Sequence, residues 1–331
     1  MSTPNSELDP YQHDPDRWGV SLAHMASLML PCLDAVDARY VVEVGAFAGD
    51  LTSVLVEWAE RSGARVGAID PSPQEGLIAL AREKPALELV RETSLEAIPK
   101  IDVPDAVVLD GDHNYYTVLN ELRLIEERAS GAELPLILFH DVCWPHARRD
   151  DYFDIEAIPE EYRQEVAGGN GGVVPGQPGL SPGAGLPYPR SAAHEGGARN
   201  GVLTAAEDFA ADDERLRLAV VPAFFGLGVL WHHDAPWANA VEELVSPWDG
   251  NPILLALEEN RVEQLARSHS RLIEIWSMRE RLARQEALLE RLLASSSFAV
   301  AERLSRVRVR AGVATGQAVI SKAEIRKALD S

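Results

Sequence analysis

The sequence predicts an α/β protein built on a doubly wound, mostly parallel sheet. Short apolar segments alternate with amphipathic ones through the first 140 residues, as expected when helices cover both faces of a parallel sheet. Two later apolar segments, residues 215–224 and 226–233, are too close together for a crossover helix, so we expect them to pair antiparallel. The prediction is therefore a seven-stranded sheet with an antiparallel last strand and a helical C-terminal extension.

The elements of this sheet follow one another in a regular order. After a polar leader, helical spacing of Leu and Met predicts a first helix within residues 20–36 that ends near Pro31. The next apolar runs predict strands at residues 39–45, 64–70, 87–93, 105–111 and 134–141. The segments between them predict helices at residues 50–63, 73–84, 94–100 and 115–130.

Changes in composition divide the chain into three parts. We expect a leader and helix at residues 1–38, the sheet domain at 39–246 and a helical extension at 247–331. Residues 143–199 interrupt the domain and are rich in Gly and Pro, which disfavours a helix or a central strand. Because this insertion leaves the carboxyl end of the fifth strand, where open parallel sheets bind ligands, we favour a lid. A passive, poorly ordered insertion is the alternative.

The extension carries an apolar stripe with the spacing of a coiled coil. Along the extension, apolar residues recur at alternating spacings of four and three residues, and this spacing continues in a shifted phase. The pattern predicts a long amphipathic helix that mediates homo-oligomerisation or docks on the body. The stripe consists of Val262, Leu265, His269, Leu272 and Trp276, followed by Ile275, Met278, Leu282, Leu289 and Leu292. The last segment is basic, which suggests a solvated helix face or, as a weaker alternative, contact with an anionic membrane surface.

Composition excludes several classes of protein. The formal net charge of −21 argues against nucleic-acid binding, because that binding depends on neutralising phosphates with Lys and Arg. We find no apolar segment long enough for a transmembrane helix and no signal-peptide pattern, so we expect a cytoplasmic protein. Cys32 and Cys143 lack the spacing of a disulfide framework or zinc knuckle.

The first predicted strand runs into a turn of the kind that binds a nucleoside cofactor. Glu43, Gly45 and Gly49 frame the turn, and the glycines allow a ligand to approach the following helix. The dinucleotide fingerprint requires another glycine two positions after the first, but Ala46 is followed there by Phe47. A pyrophosphate is therefore disfavoured, whereas S-adenosylmethionine, which has no phosphate, fits the turn.

Two further residues fit the same cofactor. Asp70 ends the second strand, where a carboxylate can accept hydrogen bonds from the two ribose hydroxyls. Ser94 follows the third strand, where it could meet an adenine edge. Asp70 could instead cap the helix that follows it.

Together these motifs resemble the class I S-adenosylmethionine-dependent methyltransferases, which have a Rossmann-like fold. The resemblance covers residues 39–233, and it implies that Glu43, Gly45, Gly49 and Asp70 bind the cofactor. The predicted cofactor-binding residues also include Ala46 and Phe47 of the turn, Ser94 and Asp110. The segments "LDGDHNYYTVLNEL" and "LILFHDV" further resemble methyltransferase family 24, the macrocin- and catechol-type O-methyltransferases. This resemblance implies methyl transfer to a hydroxyl group.

Within that framework, the acids at the strand ends predict a divalent metal, with Mg²⁺ as the natural candidate. Asp110 and Asp141 end neighbouring strands, so their carboxylates could converge on one cation. Related metal-dependent enzymes often supply Asp or Asn directly after the second acid, where this chain has Val142. Asp112 or Asn200 could complete the ligand set instead.

The metal would hold two vicinal hydroxyls of the acceptor and lower the pKa of one of them. His113 and His140 are the candidate bases, since each flanks one of the acids and an imidazole titrates near neutral pH. Further candidates for recognising a hydroxyl or carboxylate of the acceptor lie at the start of the insertion, and these are His146, Arg148, Arg149 and Tyr152. Solvation of these side chains at the surface is the alternative.

The leading hypothesis is an O-methyltransferase that acts on a sugar or glycosylated metabolite with assistance from a metal. The sugar rests on the family resemblance, and a catechol would suit a two-point chelate as well. A metal-dependent hydrolase on the same fold is one alternative. A methyltransferase-like assembly protein without activity is the other.

Overall fold

The computed structural model describes residues 21–129, 133–166, 171–313 and 321–329. The chain divides into two compact units, residues 1–267 and residues 268–331. The first unit contains the sheet and the insertion. The second contains most of the C-terminal helices.

The strands of the first unit form one large and one small sheet. The large sheet contains β1 (Tyr40–Val44), β2 (Arg65–Ile69), β3 (Leu87–Val90), β4 (Ala106–Leu109), β5 (Leu136–Phe139), β8 (Leu216–Val221) and β9 (Leu227–His232). The small sheet, within the insertion, pairs β6 (Gly171–Gly172) with β7 (Ser181–Pro182).

Helices connect the strands and form the C-terminal extension. Short 3₁₀ segments precede the first helix and occur twice in the insertion, at Leu22–Met25, Ile155–Ala157 and Glu160–Tyr162. The α-helices are α1 (Ala26–Ala35), α2 (Asp50–Ser62), α3 (Glu75–Glu83), α4 (Ser94–Ala97), α5 (Tyr115–Arg128), α6 (Val202–Ala211), α7 (Ala238–Val245), α8 (Pro252–Ala294), α9 (Ser296–Arg310) and α10 (Lys322–Leu329).

The strand order of the large sheet is β3-β2-β1-β4-β5-β9-β8. The first five strands are parallel, whereas β9 runs antiparallel to both β5 and β8. The short β8–β9 connection has no room for a crossover helix, which explains the antiparallel pair. The predicted fold is therefore confirmed: a Rossmann-like, mostly parallel seven-stranded sheet with an antiparallel last strand.

Both faces of the sheet are buried, which explains why its strands read as unbroken apolar runs. On one face, Val41 and Val108 pack in a core with Leu33 of α1, Leu55 of α2 and Val241 of α7. On the other face, the strands pack against α5 and α6 through Leu122, Ile125 and Phe209, among others. With both faces covered, the carboxyl ends of the strands remain as the place for a site.

The first helix is longer than the sequence predicts. Pro31 lies inside α1, which continues to Ala35. Proline inside a helix removes a hydrogen bond and disfavours the turn before it. Cys32 and Leu33, directly after it, are fully buried in the core, so packing of this last turn outweighs the cost of the proline.

The second unit presents exposed apolar side chains along one helix. Within it, Ile275, Trp276, Met278, Leu282 and Leu292 of α8 are exposed to solvent. Lys322 at the start of α10 donates a hydrogen bond to the Leu293 carbonyl. No helix of the described residues has both the length and the apolar character needed to cross a membrane.

Candidate active site

The turn after β1 contains two glycines with positive φ angles, a conformation that other residues rarely adopt. Gly45 has a φ of +85°, and a Cβ there would lie 2.0 Å from the backbone carbonyl oxygen of Asp110. Gly49, with a φ of +92°, precedes the first residue of α2 and provides no side-chain cap. The β1 turn is therefore in direct backbone contact with the end of β4, and the first amides of α2 have no side-chain partner at the N-cap.

Asp70 at the end of β2 ties this turn to the sheet. One carboxylate oxygen accepts a hydrogen bond from the Phe47 amide at 2.7 Å, and the other accepts one from the Ser72 amide at 2.7 Å. Phe47 has a φ of +41°, and its side chain is 57% exposed. Each carboxylate oxygen can accept more than one hydrogen bond, so Asp70 holds the turn and still offers acceptors to a ribose.

Glu43 is a buried carboxyl group without a complete set of partners. Its Oε2 atom has no hydrogen-bond partner in the described part of the chain. Burial, opposed by the Thr52 hydroxyl and reinforced by the charges of Asp110, Asp50 and Asp70, raises the pKa of Glu43 to about 8. A buried, unsatisfied acceptor among other acids suits a cationic ligand such as an ammonium group. S-adenosylmethionine, with its ammonium and sulfonium groups, fits these residues. Ala46, also predicted at this site, is buried in the core.

Ser94 is the first residue of α4 and is buried. Its hydroxyl partly stabilises the charge of Glu121, a buried residue of α5 whose pKa burial raises to about 8. Glu121 is absent from the sequence-based candidates, although it occupies an apolar position of α5 between Val118 and Ile125. A carboxylate within the apolar stripe of a helix is the signal that would have identified it.

Four side chains converge at the ends of β4 and β5. The Nδ1 atom of His140 lies 3.0 Å from Asp110 Oδ1 and 3.4 Å from Asp141 Oδ2. The Nε2 atom of His113 lies 3.4 Å from the same Asp110 oxygen and 3.2 Å from the same Asp141 oxygen. The two carboxylates and the two imidazoles thus alternate, and we call this group the Asp–His cluster.

The backbone aims these residues at one another. The register pairs Leu109 of β4 with Phe139 of β5, so Asp110 and His140 follow the same sheet edge. Asp141 has a φ of +59°, an uncommon conformation for a residue with a side chain. The chain turns sharply there, which brings both His140 and Asp141 to the same side as Asp110.

The orientation of the His140 ring is fixed by a second hydrogen bond. His140 is buried, and its Nε2 atom lies 2.8 Å from the backbone carbonyl oxygen of Phe224. A carbonyl only accepts, so Nε2 carries a proton and donates it. The other nitrogen, Nδ1, therefore faces the two carboxylates.

Mutual attraction controls the protonation of the cluster. Burial would lower the pKa of His113, but the charges of Asp141 and Asp110 outweigh burial and raise the pKa to about 10. Burial would likewise lower the pKa of His140, but the charges of Asp110 and Asp141 outweigh burial and raise the pKa to about 9. Burial would raise the pKa of Asp110, yet the two imidazoles lower it to about 2. As long as no other cation neutralises the carboxylates, neither imidazole is free to accept a proton at neutral pH.

The cluster fits a divalent cation. One ligand atom each from Asp110, His140 and Asp141 lies within 4.8 Å of the others. His140 donates its Nε2 proton to the Phe224 carbonyl, so Nδ1 is the nitrogen left to bind a metal. Metal-binding histidines commonly use one ring nitrogen as the ligand and donate from the other. Two carboxylates with one imidazole differ from the all-oxygen set that Mg²⁺ prefers, and a transition ion such as Mn²⁺ suits the mixture better.

Two predicted metal ligands are engaged elsewhere. Asp112 accepts hydrogen bonds from the Thr117 hydroxyl at 2.9 Å and the Phe153 amide at 2.8 Å. Asn200 accepts from the Asp150 amide at 2.7 Å and donates to the carbonyl groups of His194 and Gly196. Both side chains stabilise loops because their polar atoms satisfy backbone groups, and the structure does not bring them into the Asp–His cluster.

The insertion forms one wall of the site. The His146 ring stacks on His113 with centroids 5.2 Å apart, and Tyr188 packs edge-on against His146 at 4.7 Å. The Asp151 amide also donates to the His113 carbonyl at 3.0 Å. The charge of Asp141 is among those that raise the pKa of the half-buried Tyr188, after the effect of desolvation. Tyr188 therefore belongs to the surroundings of the site, although its Gly- and Pro-rich sequence context gave no signal for it.

Three other residues of the insertion do not face the cluster. Arg148 pairs with both carboxylate oxygens of Glu207 at 2.6 and 2.8 Å. Arg149 is fully buried and donates to two backbone carbonyls. Tyr152 donates to Asp150 at 2.9 Å. The weaker expectation that these residues recognise an acceptor is thus replaced by a structural role, because their polar groups hold the insertion together.

One segment of the chain matches a family model, and solved structures are similar to the chain at low sequence identity. Residues 42–142 match a family model described as a methyltransferase domain. No curated protein matches the chain. Among solved structures, the chain is similar to the SAH-bound methyltransferase PaMTH1 of Podospora anserina, with 16% identity, coverage of 67% of this chain and 84% of that one, and a TM-score of 0.41.

Two further structures are similar at the same level. An O-methyltransferase from Bacillus cereus in complex with SAH has 14% identity, coverage of 64% and 83%, and a TM-score of 0.37. A methyltransferase from Geobacter sulfurreducens has 13% identity, coverage of 68% and 90%, and a TM-score of 0.36. The segment that matches the methyltransferase-domain model, residues 42–142, contains the β1 turn, Asp70 and the entire Asp–His cluster.

Proposed function

We propose that this protein transfers the methyl group of S-adenosylmethionine to a hydroxyl of a polyhydroxylated small molecule, a sugar or glycosylated metabolite, with assistance from a divalent cation. The observation that carries the proposal is the position of the Asp–His cluster. Its Asp110 is in backbone contact with Gly45 of the cofactor turn. A methyl donor on one side and a metal-bound hydroxyl on the other would thus be neighbours, as methyl transfer requires.

Glu43, Asp70 and the amides at the start of α2 would hold the cofactor. Bound S-adenosylmethionine supplies an electrophilic methyl group. Glu43 offers its unpartnered oxygen to the ammonium group, and Asp70 offers its remaining acceptor sites to the ribose. The uncapped first turn of α2 suits the carboxylate of the methionine part, because helix N-termini stabilise negative charge.

Asp110, His140 and Asp141 would hold the cation. A divalent ion supplies the charge that lowers the pKa of an acceptor hydroxyl. The donor set favours Mn²⁺ over the Mg²⁺ suggested by the sequence, since one of its three members is an imidazole. With a cation bound, Asp110 and Asp141 would be neutralised without a protonated imidazole, so the His113 imidazole would be free to accept a proton.

The geometry supports different roles for the two candidate bases. His140 is buried, with Nε2 donating to Phe224 and Nδ1 directed at the carboxylates, so neither nitrogen is available to an acceptor. The His113 side chain is 25% exposed and reaches the carboxylates from the loop before α5. His113 would accept the hydroxyl proton at Nε2, and His140 would act as a ligand.

The wall formed by the insertion favours a polar acceptor. His146 and Tyr188 combine an aromatic surface with hydrogen-bonding atoms beside His113. A sugar ring can stack on such a surface while two adjacent hydroxyls reach the cation. The insertion would then act as the lid predicted from the sequence, with Tyr188 as its contact to the acceptor.

A methyl-transfer assay tests the proposal. Purified protein would be incubated with radiolabelled S-adenosylmethionine, Mn²⁺ and either a panel of sugars and nucleotide sugars or a panel of catechols. We expect labelled product from a sugar, loss of activity with EDTA and in Asp141→Asn, and full activity in Asp102→Asn, an exposed carboxylate paired with Arg65. Methyl transfer only to catechols would contradict the proposal that the acceptor is a sugar. Unchanged transfer in EDTA would contradict the role of the cation.

A further inference from the structure

The loop that orients His140 has an unusual backbone. This loop, residues 222–226, connects β8 to β9, and Phe224 and Phe225 adopt φ angles of +53° and +66°, followed by Gly226 at +94°. Bulky residues rarely adopt positive φ, and they persist in this conformation only where surrounding contacts enforce it. Because the Phe224 carbonyl accepts the hydrogen bond from His140, whatever holds this loop also affects the cluster.

A carboxylate of α8 binds two successive amides of this loop. Glu258 accepts from the Phe224 amide at 3.0 Å with one oxygen and from the Phe225 amide at 2.8 Å with the other. Successive amides that point the same way form a concave site for an anion. Glu258 is buried, so its two hydrogen bonds to the loop are shielded from competing water.

Arg261 holds Glu258 in place. Its guanidinium group pairs with both oxygens of Glu258 at 2.7 and 2.6 Å, in the bidentate geometry that favours such pairs. The same group lies over the Phe225 ring, 4.4 Å from its centroid. Arg261 thus neutralises the Glu258 carboxylate on one side, while the loop amides bind the same carboxylate on the other.

We infer that Glu258 is a positioning residue for the active site, acting through the Phe224 carbonyl to fix the ring and tautomer of His140. The effect on metal binding rests on the proposed function, whereas the orientation of His140 by this loop does not. Glu258 lies well outside the segment matched by the methyltransferase family model, residues 42–142. The beginning of the C-terminal extension therefore completes the site, although it contributes no atom to the cluster.

The predicted consequence is weaker metal binding without weaker cofactor binding. Removal of outer-shell partners of a metal-binding histidine typically reduces metal affinity by 10- to 100-fold. None of the hydrogen bonds of Glu258 reaches Glu43, Asp70 or the β1 turn. Glu258→Gln should therefore raise the dissociation constant for Mn²⁺ by about 10- to 100-fold, with S-adenosylhomocysteine affinity unchanged.

The experiment measures Mn²⁺ binding by electron paramagnetic resonance and S-adenosylhomocysteine binding by calorimetry in the full chain. Wild type is compared with Glu258→Gln and with the matched control Glu259→Gln, whose side chain is exposed on the same helix. A second readout is the ¹⁵N–¹H NMR signal of the His140 Nε2 proton, assigned with His140→Asn. This proton should exchange slowly with water in wild type and the control, and rapidly in Glu258→Gln.

Unchanged Mn²⁺ affinity and an unchanged Nε2 proton in Glu258→Gln would overturn the inference and leave the proposed function standing. Loss of the slow Nε2 proton in a protein that binds no Mn²⁺ would support the positioning role and refute the metal. If Glu258→Gln does not fold, Glu258→Asp tests the same step. It keeps the charge but withdraws the carboxylate from the two amides, so it should shift both readouts in the same direction.

Discussion

At the scale of single residues, Gly45 joins the two halves of the proposed site. A Cβ at this position would overlap the Asp110 carbonyl oxygen, and the φ of +85° would be strained as well. We expect Gly45→Ala to lower the free energy of unfolding by roughly 3 kcal/mol or more, since backbone strain and steric overlap add. Chemical denaturation measures the change.

Gly63 provides the matched control for Gly45. It has a φ of +72°, and apart from Gly63 and its two chain neighbours no atom of the described residues lies within 4 Å of the position that a Cβ would occupy, so Gly63→Ala tests strain without overlap. We expect it to cost only about 1 kcal/mol. Equal costs for the two substitutions would show that the contact between the β1 turn and Asp110 is not tight.

Glu121 should make stability depend on pH. Burial raises its pKa in the folded protein to about 8 from an ordinary value of 4.5, so the folded state keeps a proton that the unfolded state releases. Stability is therefore greatest below pH 4.5 with respect to this group, falls as the pH rises to 8, and stays low above that. Glu121→Gln has no charge to bury.

The test of Glu121 is the melting temperature of wild type and Glu121→Gln at pH 5 and pH 8. We expect the melting temperature of the variant minus that of wild type to be higher at pH 8 than at pH 5, by roughly 3 °C or more. The comparison between variants removes the contribution of other buried acids such as Glu43. The same difference at both pH values would mean that Glu121 is already ionised in the folded protein.

The acids of the site could be predicted from the sequence because they directly follow apolar strands. Asp110 and Asp141 end neighbouring strands of a parallel sheet, and topology alone brings them together. The partners of His140 could not be predicted in this way. Phe224 and Glu258 lie far along the chain, and their contacts depend on a loop with positive φ angles that no local pattern indicates.

At the scale of elements, the insertion depends on Asp150. This buried carboxylate accepts hydrogen bonds from the amides of Tyr115 and Gly201 and from the Tyr152 hydroxyl. Asp150→Ala leaves three buried donors without a partner, which should destabilise the insertion by roughly 3 kcal/mol. We expect limited proteolysis to cleave residues 143–199 faster, with S-adenosylhomocysteine affinity retained.

Asp154→Ala is the control for Asp150→Ala, because Asp154 is exposed and the one hydrogen bond described for its side chain caps a short 3₁₀ helix. It should leave the cleavage pattern unchanged. If Asp150→Ala resists protease as well as wild type does, the insertion is held by other contacts, such as the Arg148–Glu207 pair.

The strands of the sheet could be predicted because a fully buried strand leaves a continuous apolar run. The insertion could not, since it is held by side-chain hydrogen bonds to backbone groups, such as those of Arg149 and Asn200, and not by a periodic apolar face. The sequence predicts the end of α1 at the wrong residue for another reason. Core packing of Cys32 and Leu33 outweighs the local effect of Pro31.

At the scale of the whole molecule, the apolar stripe of α8 predicts self-association. Ile275 is 44% exposed and Leu282 is 57% exposed, and they are seven residues apart, as in a coiled-coil seam. We expect light scattering after size exclusion to show an oligomer for wild type. The double variant Ile275→Glu/Leu282→Glu should be monomeric, because charges in the seam are costly to bury.

Ala287→Glu places the same charge on the outer face of the helix and should leave the oligomer intact. A monomeric wild type would refute the coiled coil and favour docking of the stripe elsewhere. A double variant that remains an oligomer would place the interface outside this segment.

The central claim is that one sheet edge holds two adjacent but separate sites, one for the cofactor and one for the cation. Calorimetric titration with S-adenosylhomocysteine and with Mn²⁺ tests it most directly in wild type, Asp70→Asn and Asp141→Asn. We predict that wild type binds both ligands, that Asp70→Asn loses only S-adenosylhomocysteine, and that Asp141→Asn loses only Mn²⁺. Failure of wild type to bind either ligand, or loss of both ligands in a folded single variant, would contradict the account.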